Sequence, residues 1–188
     1  MDSILAATRL IVLEKGSNGL KMREITNVAN VTISSIYQYF PHKGAIIEAL
    51  AKSYLDDWQK QVTDSVAKIS SGGEVATVVV QLMNDHYRRQ KSDPVLRDIL
   101  IGTVADKNLE NMDMENTRVT HEILYAGFNR YFPQESWSML KQSILLHMHL
   151  GSAAIRLALS IGEEAGNEIV EIYTSQMLRN LQDLMHPS

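Results

Sequence analysis

The run Ala29-Asn30-Val31-Thr32-Ile33-Ser34-Ser35-Ile36-Tyr37-Gln38-Tyr39-Phe40-Pro41-His42-Lys43 leaves the backbone few choices. Asn is, after glycine, the residue that best tolerates a left-handed turn, so Asn30 marks a sharp corner. Thr32 offers its hydroxyl to the amide of Ser34 or Ser35, as an N-cap does. Pro41 pushes the residue before it out of the α region, which limits the intervening helix to about two turns. Upstream, Ile4 to Lys15 predicts a helix with Leu5, Ala6, Leu10 and Leu13 on its stripe, closed by Gly16 to Gly19. A second helix is expected from about Lys21 to Ala29. Three short helices with a tight turn before the last form a helix-turn-helix.

In the last of these helices Ile36 and Phe40 stand four apart on one face, while Ile33, Ser34, Tyr37 and Gln38 fall largely on others. That outward set is small, polar and aromatic. It suits a helix lying in a DNA major groove about 12 Å wide and donating to base edges and phosphates.

The chain carries a formal net charge of −4, which alone argues against a nucleic-acid binder. The distribution of that charge argues the other way: residues 1–52 hold six lysines and arginines against four carboxylates, and the excess of acid lies in the rest. A mildly basic head on an acidic body fits a protein that meets phosphate at one end. With 188 residues, 45% of them hydrophobic, the chain can bury a core for one or two domains. No uninterrupted apolar run reaches the roughly 18 residues of a membrane span. Met1-Asp2-Ser3 lacks the basic start of a signal peptide, so a cytoplasmic protein is expected. The absence of cysteine excludes disulfides, thiolate nucleophiles and Cys-based zinc sites.

Ile4-Leu5-Ala6-Ala7-Thr8-Arg9-Leu10, Gly16, Ile25, Ala29, Val31-Thr32, Ile36-Tyr37, Tyr39-Phe40 and Lys43 together resemble, in register and without a gap, the N-terminal pattern of TetR-type transcriptional regulators. The resemblance covers about the first quarter of the chain. It implies an all-α protein with a DNA-binding domain at 1–45 and an effector-binding and dimerisation domain at 46–188. It further implies a homodimer on palindromic double-stranded operator DNA, a repressor released by a small molecule, with no cofactor and no enzymatic activity. Carried over position by position, the DNA contacts are Lys21, Thr32, Ile33, Ser34, Ser35, Tyr37, Gln38, Tyr39 and Lys43. The chain departs from the family pattern at Lys21 (usually Thr), Thr26 (Ala), Asn30 (Gly) and Ser34 (Gly), and the side chain at Ser34 changes how near the backbone comes to DNA.

Beyond residue 43 the spacing is helical throughout. Ile47, Leu50, Tyr54, Trp58 and Val62 predict one long helix, ended by Ser70 to Gly73, and Val75 to Tyr87 the next. A short helix, Val95 to Thr103, precedes a polar stretch, and a helix from about Met114 to Tyr131 follows. Trp58, Met83, His86, Tyr87, Met112, Met114, His121, Tyr125 and Phe128 mix thioethers, rings and polar tips, the composition of an adaptable pocket, though the same residues equally fill an irregular core.

The last two helices read as an assembly surface, with Gly162 to Gly166 as the turn. Ile144, Met148, Gly151, Ala154 and Ile155 on the first, and Ile172, Gln176 and Leu181 on the second, are the expected interface of a two-fold four-helix bundle. The alternative is that these helices close their own core. His147 and His149, two apart on a helix, point apart and cannot share a metal; His86 and His121 are expected as core or boundary histidines. No phosphate-cradling Gly-rich loop, His-Glu-x-x-His or G-x-S-x-G motif occurs. Two readings stay beside the regulator: a helical small-molecule-binding module that has lost DNA recognition, and an enzyme built on a helical bundle.

Overall fold

A computed structural model describes residues 1–102 and 106–187, with side chains described through Leu100 and again from Asp106. Its elements are α1 (Asp2–Lys15), α2 (Met22–Ala29), α3 (Ile33–Tyr39), α4 (Lys43–Ala67), α5 (Gly72–Ser92), α6 (Pro94–Gly102), α7 (Lys107–Phe128), two 3-10 turns (Asn129–Tyr131, Gln134–Ser136), α8 (Trp137–Ser160) and α9 (Glu163–Met185). No strand occurs among the described residues. The expected last residue of the sixth helix, Thr103, lies outside them.

The chain forms two compact units, one of residues 1–58 with 92–115, the other of 59–91 with 116–188. The first is built on Ile4, Ile11, Leu20, Ile25, Ile36, Ile46 and Leu50, joined by Val95, Leu96, Ile99 and Leu109 from α6 and α7. Residues 92–115 therefore belong to the same body as the N-terminal helices. Residue 45, where a functional boundary was expected, lies inside α4, which continues unbroken to Ala67.

Within this unit α1 turns a different face inward from the one its spacing suggested. Ile4, Ala7, Thr8, Ile11 and Val12 are buried, while Leu10 and Leu13 are exposed. The helix is apolar on nearly every side, so two stripes satisfy the same period. The buried one tolerates Thr8 because its hydroxyl donates to the Ile4 carbonyl at 2.8 Å.

The helix expected near Met114 begins earlier, at Lys107. The Asp106 carboxylate accepts from the amides of Asn108 at 2.9 Å and Leu109 at 3.2 Å, an N-cap, and Leu109 anchors the first turn in the core. The polar stretch read as a connection is thus the exposed face of a helix, which ends at Phe128 with a 3-10 turn after it.

In the second unit Met83, Tyr87, Ile155, Ala158, Val170, Tyr173 and Met177 form a core cluster between α5, α8 and α9. The turn from α8 to α9 is shorter than expected: Gly162 takes φ +96 and α9 starts at once. Gly166 is inside the helix, where an added Cβ would lie 2.4 Å from the Ala158 carbonyl oxygen. Its lack of a side chain lets α9 cross α8 backbone to backbone.

Gln134–Ser160 is long and apolar enough, by length and composition alone, for a membrane span, which qualifies the sequence expectation. Two polar residues of α8, Ser143 and His147, hydrogen-bond Asn180 of α9, so the helix is paired through polar groups within its bundle.

Candidate nucleic-acid interface

The helix-turn-helix is assembled from α2 and α3. Lys21 enters in extended conformation (φ −126, ψ 135), and α2 starts with no side-chain cap, the consequence of lysine where a hydroxyl would serve. At its end Asn30 adopts φ 52, ψ 49, the left-handed corner, and the Val31 amide donates to the Thr26 carbonyl at 3.1 Å. Thr32, extended, accepts from the Ser35 amide at 3.2 Å. The turn is closed at one end by backbone in the left-handed conformation of Asn30 and at the other by the Thr32 side chain.

Ile25 and Ile36 are completely buried and Phe40 nearly so, which fixes α3 against α1, α2 and α4. Lys21, Thr32, Ile33, Ser34, Tyr37, Gln38, Tyr39 and Lys43 are exposed, Tyr37 at 52% and Tyr39 at 57%. Two tyrosines and an isoleucine left in water lose the transfer energy that burial would give, about 1.5 to 3 kcal/mol for an aliphatic side chain. A partner surface is the ready account of that arrangement.

Ser35 takes part in the threonine cap. It is half-buried and both its amide and its hydroxyl turn to Thr32, the hydroxyls 2.8 Å apart. Ser34, which is exposed, makes a similar contact, its hydroxyl 2.9 Å from that of Thr32. Lys43 reaches the Asn18 carbonyl at 3.3 Å, a contact that holds the ammonium beside the helix-turn-helix. Arg23, exposed on the first turn of α2, adds a cation that sequence reasoning passed over, though its place two residues after Lys21 was a usable signal.

Asp93 just before α6, Asp98 within it and Asn108 of α7 brace this head. Asp93 accepts from Arg9 at 2.7 Å, and Arg9 also donates to the Tyr54 hydroxyl. Asp98 accepts from the Ser17 amide at 2.9 Å, and Asn108 donates to Glu48 at 2.9 Å. Burial alone would raise the Asp93 pKa; the Leu96 amide and the Arg9 guanidinium outweigh it and hold the carboxyl below its ordinary value. None of these pairs was visible in the sequence, because each joins residues dozens of positions apart.

The expected pocket lining includes residues of both units. Trp58 and Met112 belong to the first unit, whereas Met83, His86, Tyr87, His121, Tyr125 and Phe128 belong to the second. Met112 packs on the first unit's core. In the second, Met83 and Tyr87 join the core cluster and Phe128 is buried. His121 Nε2 pairs with the Lys141 carbonyl at 2.8 Å, and Lys141 lies over the Tyr125 ring at 5.2 Å. An apolar cleft in the first unit, lined by Ala51, Tyr54, Leu55, Leu96, Ile99, Leu100, Leu109 and Asp113, has room for about one water and contains none of the expected lining.

The expected interface residues divide between the interior and the surface of the subunit. Ile144, Gly151, Ile155 and Leu181 are buried inside the chain's own second unit. Ala154 packs on that unit's core and Met148 is half-buried. Ile172 and Gln176 remain exposed. The open apolar side of α8 is Met139, Leu146, Leu150 and Leu157, continued by Ile161. Both stripes have helical period, and α8 is apolar on two faces, so spacing could not say which was which.

A recognition-type helix, presented by a left-handed corner and a threonine cap on an otherwise helical chain, defines the class of helix-turn-helix regulators. Residues 4–50 match the family model described as bacterial regulatory proteins, tetR family, and residues 73–185 the tetracyclin repressor-like C-terminal domain. The chain belongs to the TetR family.

It is 26% identical over 112 residues to the probable HTH-type transcriptional regulator YttP of Bacillus subtilis strain 168, a match covering 57% of this chain and 54% of that protein. The match thus spans about half the length of that curated relative. A TetR-family regulator from Streptomyces coelicolor superposes with a TM-score of 0.71 at 21% identity, covering 98% of this chain and 96% of that one. A TetR regulator from Haloarcula marismortui gives 0.75 at 12% identity, covering 98% and 97%. At these identities the likeness shows the fold.

Proposed function

We propose that the chain is a transcriptional regulator, a repressor of the cytoplasm, that binds operator DNA through residues 1–45 as a two-fold dimer and is released by a small molecule held in its C-terminal helices. The observation that carries this reading is α3 itself. Ile36 and Phe40 are sunk in the core while Ser34, Tyr37, Gln38 and Tyr39 stand outward beside Lys21, Arg23 and Lys43. Cations and tyrosines supply phosphate contacts that fix register, and Ser34 and Gln38 supply donors and acceptors for base edges.

Dimerisation is supported by α8. Met139, Leu146, Leu150, Leu157 and Ile161 recur at alternating spacings of seven and four, one narrow seam along the helix, and all are exposed. A second copy would cover that seam and set two recognition helices about 34 to 36 Å apart for successive major grooves. Ile172 and Gln176 of α9 are open to the same role.

Gel-shift of the purified protein against the DNA upstream of its own gene tests the proposal. A retarded band, lost with excess of the same duplex and retained with unrelated DNA, is expected. Absence of any specific shift would leave the helical binding module as the better description. Small molecules that release the band then identify the effector.

A further inference from the structure

Resting on the reading that residues 1–45 meet DNA, we propose that His42 is a further DNA-contact residue: a neutral imidazole that caps α4 with one ring nitrogen and donates to a backbone phosphate with the other. His42 occupies the position before the first residue of α4, and its Nδ1 lies 3.1 Å from the Ala45 amide nitrogen. That amide is shared with the His42 carbonyl, also at 3.1 Å. A ring nitrogen facing an N–H must accept, so the imidazole proton resides on Nε2. The cap fixes the tautomer.

Gly44 keeps the ring in place by leaving it room. A Cβ there would lie 3.0 Å from His42 Nδ1 and 3.4 Å from Cε1, closer than side chains ordinarily pack. With Nδ1 turned to the helix, Nε2–H sits on the opposite edge of an exposed ring. On either side of this connection stand Tyr39, which is exposed, and Lys43, whose ammonium is held at the Asn18 carbonyl. A donor in this place lies beyond the end of the recognition helix, among groups that flank the groove. Its target is therefore a phosphate oxygen rather than a base edge.

A neutral donor and a cation leave different traces in salt. Lysine displaces a condensed counterion, so losing it lowers the salt slope by about 0.9, whereas an imidazole N–H releases none. The experiment titrates the intact protein with its operator duplex at several salt concentrations, comparing His42→Ser, His42→Ala and Lys43→Ala. Serine retains an oxygen that can cap Ala45, so the melting temperature of His42→Ser should match wild type. Its operator affinity should fall about three- to tenfold, the effect of one lost hydrogen bond, with the salt slope unchanged.

Wild-type affinity in His42→Ser would reduce His42 to a cap and overturn the proposal. A reduced slope in that variant would overturn it equally, by showing a charged ring. Nitrogen-15 shifts of the His42 ring in the free wild-type protein provide a measurement independent of variant folding: a proton on Nε2 is expected, and one on Nδ1 excludes the arrangement. Failure of the wild-type protein to bind any specific duplex would instead refute the regulator reading itself.

Discussion

The Tyr173 hydroxyl donates to the main-chain carbonyl of His147 at 2.7 Å and lies 3.0 Å from the Nδ1 of the same residue. His147 Nε2 faces Asn180 Oδ1 at 3.2 Å, and Ser143 donates to that same oxygen. An apolar helix pair is thus crossed by one polar chain, which fixes the register of α9 on α8. Burial pushes the Tyr173 hydroxyl up to about 12. An acid that keeps its proton longer when folded stabilises the fold less as pH rises from about 10, its value when unfolded, toward 12.

Tyr173→Phe should therefore cost about 1 kcal/mol at neutral pH, the worth of one hydrogen bond, and flatten the loss of stability above pH 10. Denaturant unfolding followed by circular dichroism between pH 7 and 11 measures both. An unaltered alkaline slope in the variant would show that another tyrosine carries it.

His86 gives the acid counterpart. Burial, with Arg89 adding repulsion, pushes it down to about 4, and its Nε2 lies 3.0 Å from the Gln90 amide nitrogen, which makes that ring nitrogen the acceptor. A base that refuses its proton in the fold weakens the protein as pH falls from 6.5 toward 4, by up to about 3 kcal/mol. His86→Leu should lose less stability across that window. Urea midpoints at pH 7, 6 and 5 decide it; parallel losses in both proteins would assign the acid sensitivity elsewhere.

Lys43 and Gln38 should fail differently on DNA. Lys43→Ala is expected to weaken all duplexes alike and lower the salt slope by about 0.9, because a phosphate contact carries no sequence information. Gln38→Ala should keep the slope and lose about 1 to 3 kcal/mol of discrimination at one base step. Competition titrations with single-base operator variants separate the two. An altered sequence preference in Lys43→Ala would reverse the assignments.

The head was legible in the sequence because its signals are local. Asn30, Thr32 and Pro41 each dictate backbone at their own position, and the left-handed corner and the threonine cap stand where those residues put them. The faces of α1 and α8 were not legible, since both helices are apolar on more than one side and period alone cannot choose. Nor were the contacts of Asp93 and Asp98: Arg9 with Asp93, or Ser17 with Asp98, join residues that only tertiary folding brings together. Ser35 marks a subtler limit, because a serine after a threonine cap can serve the cap as well as the groove.

The assembly prediction follows from the two faces of α8. Ile155 is fully buried among Met83, Tyr173 and Met177, so Ile155→Ala should cost about 2 to 5 kcal/mol whatever the oligomeric state. Leu150 and Leu157 are exposed, so an arginine at either is expected to leave the folded subunit near wild-type stability at low concentration. On the seam, however, two-fold symmetry brings the same charge from each copy into one apolar contact, where neither finds water nor a partner. Leu150→Arg and Leu157→Arg should sediment as monomers at micromolar concentration and lose tight operator binding, each head then holding a single half-site. A double change should add little, because one charge already opens the seam. If either variant remains a dimer with wild-type operator affinity, the outward stripe of α8 is ordinary surface and the contact between copies lies on another face.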